Sequence, residues 1–126
     1  MLHADCEIVL IEDDPSLRKA LERVLRGSGY DVLALESAEE LQSLLEGQGL
    51  SPRCRCVICD VRLPGISGFE LRRRISELGH LPPWIYISAL DDVATRRQVE
   101  RDGARLLQKP FPGKALLVLV GQCLEP

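Results

Sequence analysis

Five times along this chain, a short apolar run gives way to a segment whose apolar residues recur every three or four positions. Continuous apolar runs suit strands buried on both faces, and the longer period suits helices. Few folds accommodate a strict alternation of the two. The runs are EIVLI (7–11), DVLAL (31–35), CVICD (56–60), WIYIS (84–88) and RLLQ (105–108). The helical stripes are Leu17, Leu21, Val24 and Leu25, stopped by GSG; Leu41, Leu44 and Leu45; and Leu71, Ile75 and Leu78, ending near Gly79. A mostly polar helix follows over about 91–102, with Val93 and Val99, and a last one carries Leu116, Leu117, Val120 and Leu124. The second stripe is preceded by SAEE, a capping box with Ser37 as N-cap and Glu40 at the third helical position. Crossovers between parallel strands are right-handed. The pattern therefore predicts one α/β domain over residues 1–126, a parallel sheet with helices on both faces.

Composition narrows the function. At 126 residues, the chain is long enough for a single core. A net charge of −3 offers no basic surface for direct nucleic-acid binding. The longest apolar run, Ala115 to Val120, is too short to span a bilayer, and MLHADCE lacks the regions of a signal peptide, so a cytoplasmic location is expected. The five cysteines form no disulfide framework. Alternation along a strand would point Cys54 and Cys56 to one face and Cys59 to the other, leaving CRCVIC without a converging metal set. The cysteines read as buried, reduced, small apolar residues. His3 and His80 have no evident partner and read as bystanders.

In open parallel sheets, ligands bind beyond the carboxyl ends of the strands, so the residues there are the candidates. Strand one ends in Glu12 and Asp13, strand three in Asp60, strand four in Ser88 and strand five in Lys109. Two carboxylates from one strand and a third from another form an oxygen cage for a hard divalent cation, Mg²⁺ by preference. A hydroxyl and an ammonium opposite them suit the oxygens of a phosphoryl group. Structural readings claim some neighbours. Asp14 before Pro15 is a helix N-cap followed by proline at the first helical position. Pro64, Gly65 and Gly68 are turn residues. Lys109 is one of only three lysines beside 13 arginines, and the proline after it would fix its loop.

On IVLIEDDPSLRKAL, VICDVRLPGISGFEL, ISAL and GARLLQKPF, the chain resembles the receiver domains of bacterial two-component response regulators. The resemblance runs over essentially the whole chain. It implies a (βα)5 doubly wound, flavodoxin-like sheet of strand order 2-1-3-4-5. It implies that Asp60 accepts a phosphoryl group from a sensor histidine kinase or a phosphotransfer protein. Asp13 would bind Mg²⁺ directly, Glu12 through water and Arg62 through its backbone carbonyl. Ser88 and Lys109 would contact the phosphoryl group, with Lys109–Pro110 often a cis bond in this family. Ala89, Leu90, Leu106 and Pro110 are candidate modulators.

A receiver of this kind is no enzyme beyond its own phosphoryl transfer and slow autodephosphorylation. Its output surface, and a route to a homodimer, would be helix four, strand five and helix five. Leu106 departs from the family, which commonly has Tyr or Phe three residues before the lysine, so a shallow conformational response is expected. The competing reading is a receiver-fold docking module with little dependence on phosphate. An aspartate-nucleophile phosphatase fits less well, because CDVRLPG lacks the second Asp of an Asp-x-Asp pair.

Overall fold

The computed structural model describes residues 6–125; His3 lies outside them. Ten elements alternate: β1 (Ile8–Ile11), α1 (Pro15–Gly27), β2 (Val32–Leu35), α2 (Ala38–Leu45), β3 (Cys56–Asp60), α3 (Gly68–Ser76), β4 (Trp84–Ser88), α4 (Val93–Arg101), β5 (Arg105–Gln108) and α5 (Gly113–Leu124). The strands form one parallel sheet in the order β2-β1-β3-β4-β5. That is the order the resemblance implied. The reversal of winding falls between β1 and β3, so the ends of these two strands open a crevice.

Two apolar layers hold the sheet. One face packs Leu21 and Leu25 of α1 and Leu116 and Val120 of α5 against Ile8, Ile58 and Ile85. The other packs α2, α3 and α4 through Leu41, Leu71, Ile75 and Val99 against Val9, Val57 and Tyr86. The central strands β1, β3 and β4 are buried along their whole length, which is why they read as unbroken apolar runs. β5, at the sheet's edge, is exposed at both of its ends.

The caps follow the sequence. Asp14 Oδ1 accepts from the Ser16 amide at 3.0 Å, and Pro15 opens α1. Ser37 Oγ accepts from the Glu40 amide at 3.1 Å, but Glu40 reaches back to the Glu36 amide, one residue before the N-cap. Three expectations are corrected. First, α3 ends at Ser76, so Leu78 lies beyond the helix and is 42% exposed. Second, α4 is shorter than 91–102, because the Asp92 side chain caps it by accepting from the Thr95 amide. Third, β3 begins only at Cys56, so alternation does not reach Cys54. Cys54 shares a core layer with Cys59, and Cys56 lies on the opposite side. Four of the cysteines are buried and Cys123 is half-buried.

Candidate functional site

The polar residues at the strand ends meet in the crevice. β1 runs directly into Glu12 and Asp13, β3 ends on Asp60, β4 ends on Ser88, and Lys109 follows β5. Parallel pairing places these positions at one edge of the sheet, and the Lys109 amide donates to the Ser88 carbonyl at 2.8 Å. The Lys109–Pro110 bond is cis.

Lys109 Nζ donates to Asp60 Oδ2 at 2.6 Å and lies 2.9 Å from Glu12 Oε1. The second contact is an ion pair, and the fully buried Glu12 Oε1 has no hydrogen-bond donor directed at it. The other Glu12 oxygen accepts from the Asp14 amide at 3.0 Å. Asp60 Oδ1 accepts from the Arg62 amide at 3.0 Å. Asp13 is exposed at the mouth. One oxygen from each of Glu12, Asp13 and Asp60 lies within 4.8 Å of the others, the one such cluster of potential metal-ligating groups among the described residues. Three carboxyl groups therefore face a single ammonium.

That geometry fits a hard cation. The donors are all oxygen, they come from two strands, and one buried acceptor still lacks a directed donor. Mg²⁺ takes few protein carboxylates and keeps several waters, which suits a site with one side open. The electrostatics agree. Burial, chiefly, pushes the Glu12 carboxyl up from its ordinary 4.5 to about 7, against the lowering effects of the Asp14 amide and Lys109. Burial would lower Lys109, but the carboxylates of Asp60 and Glu12 beside it outweigh that and hold the ammonium above its ordinary range.

A raised carboxyl means that the folded state binds more protons than the unfolded state between about 4.5 and about 7. Its contribution to stability therefore falls as pH rises through that window. Without divalent cation, urea unfolding of wild type and Glu12→Gln should show wild type losing ground to the variant across it. Parallel curves would mean that Glu12 titrates alike in both states.

The remaining expected residues are less engaged. Ser88 is buried, and its hydroxyl accepts from the Leu90 amide at 2.9 Å. Ala89 and Pro110 are exposed and Leu90 is half-buried. Leu106 packs at the edge of the α2–α4 core layer, paired in register with Tyr86. Three contributors were not anticipated. Arg18 Nη1 donates to the Glu12 carbonyl at 2.9 Å, bracing the acidic loop from α1. Glu39 Oε2 accepts from the Ile66 amide at 2.9 Å, tying the loop after β3 to α2. Gly68, at the start of α3, sits so close to β3 that a Cβ there would lie 2.3 Å from the Asp60 carbonyl oxygen. An arginine six residues past an acid carries no sequence signature, and neither does a glycine packed against backbone.

Residues 8–120 match the sequence model of one family, described as the response regulator receiver domain. The chain is 38% identical over 97% of its length to the C4-dicarboxylate transport transcriptional regulatory protein DctD of Pseudomonas aeruginosa, of which it covers 26%. It is 34% identical over 94% of its length to nodulation protein W of Bradyrhizobium diazoefficiens, of which it covers 51%. The chain thus spans about a quarter to a half of these relatives. Among solved structures, a response regulator receiver protein from Burkholderia phymatum superposes with a TM-score of 0.77 at 35% identity, with 93% of each chain covered. A beryllofluoride-activated DrrB receiver domain superposes with a TM-score of 0.80 at 26% identity, covering 96% of this chain and 98% of that one.

Proposed function

The chain belongs to the response regulator receiver family, and from that membership we propose that it is a phosphorylation switch in which Asp60 accepts the phosphoryl group. As a receiver domain it is regulatory rather than catalytic. The observation that carries the proposal is Asp60 itself, at the carboxyl end of β3, with Lys109 Nζ on one oxygen and Glu12 and Asp13 beside it. The donor is a histidine kinase or a phosphotransfer protein, which a two-component receiver implies. Residues 1–126 act as one such domain, in the cytoplasm where a kinase can reach it. Among the described residues, no helix is long and apolar enough to cross a membrane.

The Arg62 amide fixes Asp60 Oδ1 and so orients Oδ2 toward the crevice. An anionic nucleophile approaching anionic phosphoryl oxygens meets a barrier that is largely electrostatic. Lys109 lowers it by turning from the carboxylate to a phosphoryl oxygen, and a hydroxyl bond from Ser88 holds another. Asp13, Asp60 and the Arg62 carbonyl would hold Mg²⁺, with Glu12 through a water, and the bound ion would supply positive charge beside the transferring group. The product is a carboxyl–phosphoryl anhydride on Asp60, which water hydrolyses. Arg62 and Leu90, whose positions flank the site, control access of that water.

The switch follows from Ser88. Its hydroxyl oxygen accepts from the Leu90 amide and its proton is free for a phosphoryl oxygen, so a rotation that carries Oγ toward that group stretches the Leu90 bond. Breaking that bond frees the loop that leads into α4. The α4–β5–α5 surface is the output face, and Val93 and Val118, 55% and 53% exposed, give it apolar anchors for a second copy or a downstream domain. Several relatives are named as transcriptional regulators; a DNA-binding partner domain is the corresponding proposal for the whole protein.

Magnesium binding tests the cage directly. Calorimetric titration should show weak, saturable binding in wild type and a loss of about tenfold or more in Asp13→Asn, the factor for ~1.4 kcal/mol. Equal affinity in that variant would remove Asp13 from the site. Fluorescence of the chain's one tryptophan, Trp84, is a poor alternative readout. The residue opens β4 whereas Ser88 closes it, roughly 13 Å of strand away.

A further inference from the structure

The side chain of Tyr86 is fully buried on β4, two residues before Ser88 and on the same face of the sheet. Its ring meets Phe69 of α3 edge-on, centroids 4.7 Å apart. Its hydroxyl donates to Asp102 Oδ2 at 2.6 Å. Asp102 is the residue that closes α4. A carboxylate at a helix C-terminus faces the negative end of the helix dipole and is unfavourable by itself. Here it is surrounded by donors. Gln98 Nε2 donates to Oδ1 at 3.0 Å, Arg72 Nη1 lies 3.5 Å from Oδ1, and Arg72 Nη2 donates to the Asp102 carbonyl at 2.6 Å.

α4 has little else to hold it. Its buried residues are Thr95 and Val99 alone, and a cleft of about 340 Å³ opens between it and α3, lined by Phe69, Arg72, Gln98 and Asp102. The polar cluster therefore supplies much of the attachment at this end. Burial first, and then Asp102, push the Tyr86 phenol above its ordinary range, so it remains a donor.

The two ends of α4 are thus joined to the same strand in different ways. The N-terminal end hangs on the loop that the Ser88–Leu90 bond orders. The C-terminal end is tied to the side chain of Tyr86. β5 offers only Leu106 in register with this ring, so at this point of the sheet the aromatic belongs to β4. We propose that Tyr86 and Asp102 form a latch that pins the C-terminal end of α4 to β4, making that end the pivot about which α4 turns when Ser88 is drawn toward the phosphoryl group. The pivot rests on the phosphoacceptor reading, whereas the latch exists without phosphate.

Two measurements separate them. In the protein without phosphoryl analogue, Tyr86→Phe keeps the ring and removes only the hydroxyl. Amide hydrogen exchange at 99–102 should accelerate on the order of ten- to a hundredfold, the factor for losing a hydrogen bond to a charged group. Leu41 and Leu71, in α2 and α3, serve as controls and should not change. Unchanged exchange at 99–102 would overturn the latch, and acceleration shared with the controls would reveal a global loss of stability in its place.

The second measurement adds magnesium and beryllofluoride. Wild-type amide shifts should be large at 88–95 and small at 99–102, and Tyr86→Phe should spread them through the whole helix while leaving those at Asp60 unchanged. Equal shifts at both ends of α4 in wild type, or the same gradient in Tyr86→Phe, would overturn the pivot. No shift at Asp60 or Ser88 would overturn the phosphoacceptor reading and the pivot with it, and the exchange experiment would still decide the latch.

Discussion

Incubated with acetyl phosphate and Mg²⁺, the wild-type protein should gain one phosphoryl group by intact-mass spectrometry, and Asp60→Asn should gain none. The loss should be complete rather than graded. An amide nitrogen carries no anionic charge to attack phosphorus, and no other carboxylate shares the geometry of Asp60. Asp13 is exposed at the mouth, and Glu12 is buried with one oxygen held by the Asp14 amide. Asp60→Asn should fold normally, because its one carbonyl oxygen can still accept from the Arg62 amide while Lys109 keeps its ion pair with Glu12. Hydroxylamine should strip the wild-type modification, as an acyl phosphate requires. A modification that survives in Asp60→Asn, or that resists hydroxylamine, would place the phosphoryl group elsewhere.

Gly68→Ala should destabilise the fold by about 3 kcal/mol, at the upper end of the usual range for overpacking. The added Cβ would sit 2.3 Å from the Asp60 carbonyl oxygen and 3.2 Å from the Cys59 sulfur. The clash is with backbone, so it is relieved only by moving α3 off β3. That movement shifts Asp60, so phosphorylation should slow as well. Gly121 in α5 makes the opposite case, since nothing lies within 4 Å of a Cβ there. Gly121→Ala should stabilise by about 0.5–1 kcal/mol through the lower backbone entropy of the unfolded chain. Urea unfolding of the two variants gives the signs directly. A neutral Gly68→Ala would mean that the β3–α3 junction yields easily and does not position the site.

Much of the architecture was determined by the sequence alone, because burial leaves a periodic record. β1, β3 and β4 are covered on both faces and so show as unbroken apolar runs. Asp14–Pro15 and Ser37 marked two helix starts by their chemistry alone. A parallel sheet then brings its strand ends to one edge, so Glu12, Asp13, Asp60, Ser88 and Lys109 could be grouped before any distance was known.

What the tertiary structure decided concerns contacts without a period. The helix stripe through Leu71, Ile75 and Leu78 continues past the true end of α3 at Ser76, since hydrophobic spacing does not record where a chain turns. The partition of Cys54 and Cys56 to opposite layers depends on where pairing begins. Gly68 looks like any turn glycine until the distance to the Asp60 carbonyl is measured. Tyr86 and Asp102, 16 residues apart, carry nothing in the sequence that pairs them. Only the packing of α4 across β4 and α3 makes them partners, because a hydrogen bond forms where two groups converge in space, whatever their separation along the chain.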